Sequence, residues 1–348
     1  MRKAAVTIKH VAAEAGVSLQ TVSRVINNEP NVRQVVQDRV NAAIAKLGYV
    51  PSLAARRMGG SRSFLLMALN DRDRTIFDWE SGEGSNWVDQ MLLGGMLRCA
   101  ESGYRMIFEL VDTHSSNVER EVQAAISALH PDGVILTPPH SDNPLITGLL
   151  SRIGLPFARI GSVAQGDGFS ITMDDAHAAE EAVEHLAKLG HRRIGFISGS
   201  EEYALSAARA EGYRRAVSSL GLDADEDLLA AGDFTFESGL VAAETLLDLP
   251  SPPTAIIASS DQMALAAATV AERRGLRVPS SLSLVSFDDT PIVRFHKPPL
   301  SAVVQPIAAM TSAAADLLIR AKNGEPDLPD RCVVPFRFAA RRSSGPPR

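Results

Sequence analysis

Between residues 63 and 343, short apolar runs alternate with longer amphipathic stretches, and this alternation constrains the fold more than any other feature. The runs are "FLLMAL" (64–69), "YRMIFEL" (104–110), "GVILT" (133–137), "FARI" (157–160), "RIGFIS" (193–198), "TAIIAS" (254–259) and "LSLVSF" (282–287). They are too short for ordinary helices, and their apolar residues are consecutive rather than alternating. Strands buried on both faces read this way, which points to parallel sheets covered by helices on each side. The stretches between them predict helices at about 87–102, 117–129, 142–152, 175–189, 206–220, 237–247, 261–274 and 306–322. Many close on a glycine, as at Gly103, Gly154, Gly190, Gly221 and Gly275. Seven strands exceed one small sheet, so two similar subdomains are expected.

The 348 residues suit two or three domains. No run of eighteen apolar residues occurs, so no membrane span is expected, and the first residues lack the apolar stretch of a secretory signal. Two distant cysteines, Cys99 and Cys332, give neither a disulfide framework nor a metal-ligand spacing, and fit a reducing cytoplasm. His10, His185 and His191 form no metal cluster by spacing. Charge is divided unevenly. Residues 1–62 carry ten Lys/Arg against three Asp/Glu, a balance of +7, whereas the remainder carries 25 against 38, a balance of −13. A basic head on an acidic body suits a polyanion partner, nucleic acid above all.

The head has the pattern of a helix-turn-helix. In "TIKHVAAEAGVSLQTVSRVINN", Thr7 can cap a helix whose Ile8, Val11, Ala12 and Ala15 share one face. Gly16 breaks that helix, Val17 plugs the gap, and Ser18 caps the next. There Val22, Val25 and Ile26 point inward while Gln20 and Arg24 point outward. An exposed Gln and Arg suit the major groove, where they pair with adenine and guanine edges. A third helix buries Val36, Val40, Ala43, Ile44 and Leu47 and ends at Gly48.

Polar residues recur where the strands of the body end: Asn70 and Asp71, Thr137, "SGSEEY" after "RIGFI", Ser260-Asp261-Gln262, and Asp288-Asp289, with Arg209 near the start of a helix. Ligands of open α/β sheets bind outside the carboxyl ends of strands. Carboxylates accept from hydroxyls and Arg donates as a fork, which fits a polyhydroxylated ligand. Each position alone is equally an ordinary turn or cap residue. No P-loop, G-x-S-x-G or G-x-G-x-x-G is present, so no enzyme and no cofactor are expected.

"VTIKHVAAEAGVSLQTVSRVINN" followed by "RVNAAIAKLGYVPSLAARRM" resembles the start of the lactose-repressor/galactose-repressor (LacI/GalR) family of bacterial regulators. The resemblance implies base reading by Leu19, Gln20 and Arg24, and backbone proximity for Thr7, Ser18, Thr21, Ser23 and Asn27. It makes "PSLAARRM" a hinge helix that enters the minor groove with its dimer mate. Small residues such as Ala55 permit close approach, Arg56 supplies phosphate charge, and Met58 stands where the family has a wedging leucine. Methionine serves as an intercalating wedge elsewhere. One departure is at the third helix, where the family's V-S-x-x-T is Val32-Arg33-Gln34-Val35-Val36. The lost cap is typically worth ~1 kcal/mol.

The resemblance extends over about residues 1–343, through "GHRRIGFISG", "AARAEGYRRA", "PPTAIIASSDQMALAA" and "GLRVPSSLSLVSFDDTP", to the family's periplasmic-binding-protein-like core. It implies effector contacts from Arg209 and Asp288, then Asp71, Thr137 and Ser260, the last replacing a more usual Asn. "TPPHSDNP" and "GDFTFESG" look like a sugar-responsive branch. After Asp71, "RDRTIFDWESGEGSNWVDQ" is about ten residues longer than the family pattern. Its Trp79 or Phe77 is either an effector clamp or an aromatic anchor of an exposed loop.

The expected architecture is an all-α helix-turn-helix headpiece on an α/β periplasmic-binding-protein-like core of two doubly wound parallel-sheet subdomains. Its expected divisions are 1–50 for the DNA-binding domain and 51–62 for the hinge. Residues 63–172 with 305–325 form one core subdomain, 173–304 with 326–342 the other, and 343–348 a tail. The implied protein is a cytoplasmic, homodimeric repressor of carbohydrate-use genes, released from a palindromic operator by a sugar effector. The alternatives are a regulator sensing a nucleobase or phosphorylated corepressor, and a solute-binding protein without a DNA role.

Overall fold

The computed structural model describes residues 6–26, 32–49, 62–81 and 86–348. The expected hinge helix, and with it Ala55, Arg56 and Met58, lies outside the described residues, as does Asn27.

The N-terminal unit packs α1 (Ile8–Ala15), α2 (Leu19–Ile26) and α3 (Gln34–Leu47) around Val11, Ala12, Ala15, Val22, Val25, Val40, Ala43 and Tyr49. Its helix ends are set locally. The Thr7 N–H donates to His10 Nδ1 at 3.0 Å, so a histidine does what Glu or Gln does in a capping box. Gly16 at φ 63° closes α1 in the left-handed conformation, and Gly48 at φ 60° does the same for α3. Arg39 reaches from α3 to the carbonyls of Ala15 and Gly16, placing a cation on the negative end of α1. Ser18 Oγ accepts the N–H of Thr21 at 3.1 Å and starts α2. Arg33 stands at the N-cap of α3 without a side-chain cap bond, as the loss of the capping serine predicts.

The larger unit begins with β1 (Leu65–Asp71) and α4 (Arg72–Ser81). It continues through α5 (Asn86–Glu101), β2 (Arg105–Val111), α6 (Val118–Leu129), β3 (Gly133–Leu136), α7 (Pro144–Arg152), β4 (Phe157–Ile160) and β5 (Phe169–Thr172). The second subdomain runs α8 (Asp175–Lys188), β6 (Ile194–Ile197), α9 (Ala204–Ser219), β7 (Leu229–Ala230), α10 (Phe236–Leu247) and β8 (Ala255–Ala258). Then come α11 (Asp261–Arg273), β9 (Ser283–Phe287), α12 (Pro291–Phe295) and β10 (Ser301–Val304). The chain returns to the first subdomain for α13 (Ile307–Lys322) and β11 (Arg331–Val333), and ends its last sheet with β12 (Arg337–Ala339).

The two sheets have orders β11-β5-β4-β3-β1-β2 and β12-β10-β9-β8-β6-β7. Strand order reverses between β1 and β3 in the first and between β6 and β8 in the second. In the second sheet alternate residues serve opposite faces. Phe196, Ile257, Val285 and Phe287 pack under α8 and α9, while Ile197, Ile256 and Leu284 pack under α10 and α11. The chain passes between subdomains three times, at residues 173–174, 305–306 and 334–336.

Two expectations change. The stretch after Asp71, read as a loop, begins as the helix α4, whose charged sequence RDRTIFDWES carries almost no apolar periodicity. The segment expected to rejoin the second subdomain after residue 325 first gives β11, which runs parallel to β5 through Arg331–Ser170 and Val333–Thr172. The strands β5, β7, β10, β11 and β12 are not among the runs read from sequence, because β7 is only two residues long and the others are short and mix polar with apolar residues. Helix contacts inside each subdomain are close. A Cβ on Gly212 of α9 would lie 2.0 Å from the Ala176 carbonyl of α8. Gly212→Ala must therefore push two helices apart, and chemical denaturation is expected to show a loss of about 1–3 kcal/mol in the core transition.

Candidate ligand cleft and nucleic-acid face

In the N-terminal unit, α2 buries Val22 and Val25 and leaves Leu19, Gln20 and Arg24 exposed. Ser18 and Thr21 sit at its start, their hydroxyls 2.9 Å apart, with Ser23 half-buried along its side. Thr7 is exposed at the start of α1. The base-reading residue types expected from the sequence therefore share the outward face of one short helix.

In the larger unit, the loops at the two strand-order reversals face one cavity of about 150 Å³. Asn70 and Asp71 reach it from β1, and Pro138 from beyond β3. From the second subdomain come Tyr203 and Arg209 after β6, Phe234 after β7, Ser260 after β8 and Asp288 after β9. Both halves thus offer the carboxyl ends of their strands, where such sheets bind ligands.

Arg209 is almost fully buried and fixed on several sides. Its Nε donates to Asp175 Oδ1 at 2.8 Å, its Nη1 donates to the Ser259 carbonyl at 2.7 Å, and its guanidinium lies 4.4 Å from the centre of the Phe287 ring. Burial raises the Asp175 carboxyl, and the Arg209 charge opposes that rise. Asp288 and Asp289 have φ of 87° and 60°. Two consecutive non-glycine residues in the left-handed region cost of order 1–3 kcal/mol each, and this turn brings Asp288 to the cavity. Desolvation pushes the Asp288 carboxyl up, opposed by Arg209. Asp261 is also raised by burial and by the charge of Asp288, although its oxygens accept from Ser286 Oγ and from the N–H and Oγ1 of Thr290.

Asp71 is held from both sides. Its Oδ1 accepts the N–H of Arg74 at 2.9 Å, and its Oδ2 accepts Thr113 Oγ1 at 2.8 Å. Thr113 Oγ1 lies 2.9 Å from Nε2 of the buried His140, which also lies 3.2 Å from the Val111 carbonyl. Since Thr113 donates to Asp71, it accepts from His140, so Nε2 carries the proton. Burial lowers the basicity of His140 and keeps it neutral. Thr113 was missed in the sequence, and His140 was noted only as part of "TPPHSDNP", with no role given to it. Polar residues beyond β2 and β3 are shared by ordinary turns.

Of the expected effector positions, Asp71, Arg209, Ser260 and Asp288 line the cavity. Ser260 also caps α11 by accepting the Met263 N–H at 3.3 Å. Thr137 is buried behind the lining, donating to the Leu69 carbonyl and to Asn70 Oδ1 at 3.0 Å, and so orients Asn70. Trp79 is not among the described lining residues. It is 49% exposed and tilts against Phe108, ring centres 6.1 Å apart, while Phe77 is likewise exposed. The aromatic groups at the cavity are Trp87, Tyr203 and Phe234. Among the described residues, no helix is long and apolar enough to cross a membrane.

Comparison with known proteins places this geometry. Residues 7–52 match the family described as "Bacterial regulatory proteins, lacI family", and residues 183–344 match "Periplasmic binding protein-like domain". The HTH-type transcriptional regulator CelR of Thermobifida fusca is 33% identical over 97% of this chain and 98% of its own. The HTH-type transcriptional repressor CytR of Escherichia coli K12 is 32% identical over 93% of this chain and 92% of its own. Among solved structures, a CelR–cellobiose complex superposes with a TM-score of 0.73 at 30% identity, covering 97% of this chain and all of that one. The lac repressor dimer bound to operator and the anti-inducer ONPF, at 24% identity and a TM-score of 0.76 over 98% of this chain and 99% of its own, shares the fold. This chain belongs to the lacI family of bacterial regulatory proteins.

Proposed function

We propose that the protein is a cytoplasmic, dimeric, sequence-specific DNA-binding transcription regulator without enzymatic activity. In this reading it represses carbohydrate-use genes and is released from a palindromic operator by a sugar. The observation that carries the reading is that one chain joins a helix exposing Gln20 and Arg24 to a cleft lined by opposed carboxylates, guanidiniums and aromatic rings. Arg24, Gln20 and Leu19 read bases. Thr7, Ser18, Thr21, Ser23 and Asn27 contact the backbone, and Ala55, Arg56 and Met58 act in the minor groove.

In the cleft, Arg209 donates to sugar oxygens while Asp71 and Asp288 accept from hydroxyls, with Ser260 beside them and Thr137 acting through Asn70. Among the described residues, the carboxyl groups of Asp71, Asp78, Asp261 and Asp288 line the cavity with the guanidiniums of Arg74 and Arg209. A carboxyl group hydrogen-bonds a sugar hydroxyl whether it is ionised or protonated, so this lining favours a polyol. Binding that closes the cleft alters the dimer and weakens DNA, and DNA weakens sugar by the same factor, typically about 5–150-fold. The dimer rests on α5. Its inner face carries Gly94 and Gly95, packed against Ala308 and Met106, and its outer face exposes Leu93, Met96 and Leu97 at helical spacing.

Three outcomes are expected. In fluorescence anisotropy with duplexes selected from a random-sequence pool, Arg24→Ala weakens specific binding about 5–150-fold and relaxes the choice at one base, matching about 1–3 kcal/mol per bidentate pair. A wild-type protein that selects no sequence removes the reading. In sedimentation velocity, Leu97→Glu raises the dimer dissociation constant at least about tenfold, since burying an unpaired carboxylate costs more than the 1.4 kcal/mol that a tenfold change represents. An unchanged dimer removes α5 from the interface.

The third concerns pH. Asp261 and Asp288 hold their protons to higher pH in the folded chain than in the unfolded one. Their contribution to stability therefore falls as pH rises from near 4 through their raised values. A hydroxyl that donates to Asp288 favours the carboxylate, so sugar binding releases protons at mildly acidic pH. Calorimetry of sugar binding in buffers of different ionisation heat should show that release. Affinity should fall as pH is lowered, by about tenfold for each unit by which the ligand shifts the carboxyl. Proton uptake on binding would contradict the assignment of Asp288.

A further inference from the structure

Helix α4 reaches across the cleft through one side chain. It starts directly from β1, with the Arg74 N–H on Asp71 Oδ1. The Arg74 guanidinium lies 3.0 Å from Asp78 Oδ1 through its Nε. Its Nη1 and Nη2 donate to the carbonyls of Asp233 and Phe234, each at 3.0 Å. These carbonyls belong to the other subdomain, in the loop between β7 and α10. One fork therefore spans the two halves of the core, braced by a carboxylate on its own helix.

The receiving loop is itself fixed. Phe234 has φ 73°, and its ring stacks on Tyr203 at 5.3 Å and 26°. The ring fills the space left by Gly199, where a Cβ would lie 1.9 Å from it. Asp233 Oδ1 accepts the N–H and Oγ1 of Thr235 at 2.9 and 2.6 Å, which locks the turn. Arg74, Asp78 and Trp87 along one wall and Phe234 on the facing one line the cavity of about 150 Å³. A cavity of about that size holds one benzene-sized ring, and lies below the ~300–1,000 Å³ of sites for larger ligands.

We propose that α4 sets effector size: its Arg74 bridge closes the cleft around a single sugar ring and excludes a second, glycosidically linked ring. The inference rests on the sugar-effector reading above and specifies the ligand as a monosaccharide-sized polyol. The solved complex of the relative CelR with cellobiose, a disaccharide, gives the natural contrast.

The test is thermal shift and calorimetry on the full-length protein with glucose, galactose, mannose, xylose and arabinose, and with cellobiose, lactose and maltose. The wild type is expected to bind at least one monosaccharide at least tenfold more tightly than any of the disaccharides. Arg74→Ala is expected to narrow that ratio at least tenfold. A wild type that binds a disaccharide as tightly as its best monosaccharide overturns the size limit while leaving the sugar reading intact. So does a folded Arg74→Ala protein that binds sugars with the wild-type ratio. The wild-type ratio decides even where the variant fails to fold. If none of these sugars binds, the sugar-effector reading fails and the size limit falls with it.

Discussion

The larger unit depends on a buried cation. Arg209 cannot enter an apolar interior unless its charge is met, and three elements meet it: Asp175 from α8, the Ser259 carbonyl after β8 and the Phe287 face from β9. Each partner lies at an end of its element, next to the cavity. The same contacts that make the charge tolerable therefore register α8, α9, β8 and β9 at their ligand-facing ends. Exchanging Arg209 for an apolar residue of similar volume could fill the space, but would leave Asp175 buried without its counter-charge.

The acid groups around it are placed at a cost to the fold. Asp261 and Asp288 lie close and buried, and neither ionises as readily as an exposed carboxyl. Asp288 also follows from a turn with two adjacent left-handed residues. Strain and desolvation together mark the second subdomain's rim as optimised for something other than stability. The first subdomain's rim is less strained. There, the chain from His140 through Thr113 to Asp71 orients a carboxylate with neutral groups.

Much of this was legible in the sequence. Apolar runs without alternation marked the central strands, since burial on both faces leaves no polar phase. The headpiece was legible because each of its turns has a local chemical cause, in Gly16, Ser18 and Gly48. The edge strands β7, β11 and β12 were not, because a strand exposed on one side and a few residues long has the composition of a loop. Helix α4 was hidden for a related reason: its charged residues carry no hydrophobic period, and its fixed points, Asp71 at the start and the Asp233–Phe234 carbonyls, are remote or generic. From the sequence, Trp79 or Phe77 is the candidate clamp, whereas Trp87 of the same stretch is the one that lines the cavity. Which of two tryptophans faces a cavity is decided by the phase of the helix that carries it.

The three passages between subdomains, at residues 173–174, 305–306 and 334–336, have a mechanical consequence. A single connection would let one half swivel, twist or slide against the other. Three short straps resist torsion and shear and leave bending as the soft coordinate. A ligand gripped by both rims then has one low-cost motion to drive. Its binding energy is directed into that displacement instead of being spread over many, which is what a two-position switch requires of its hinge.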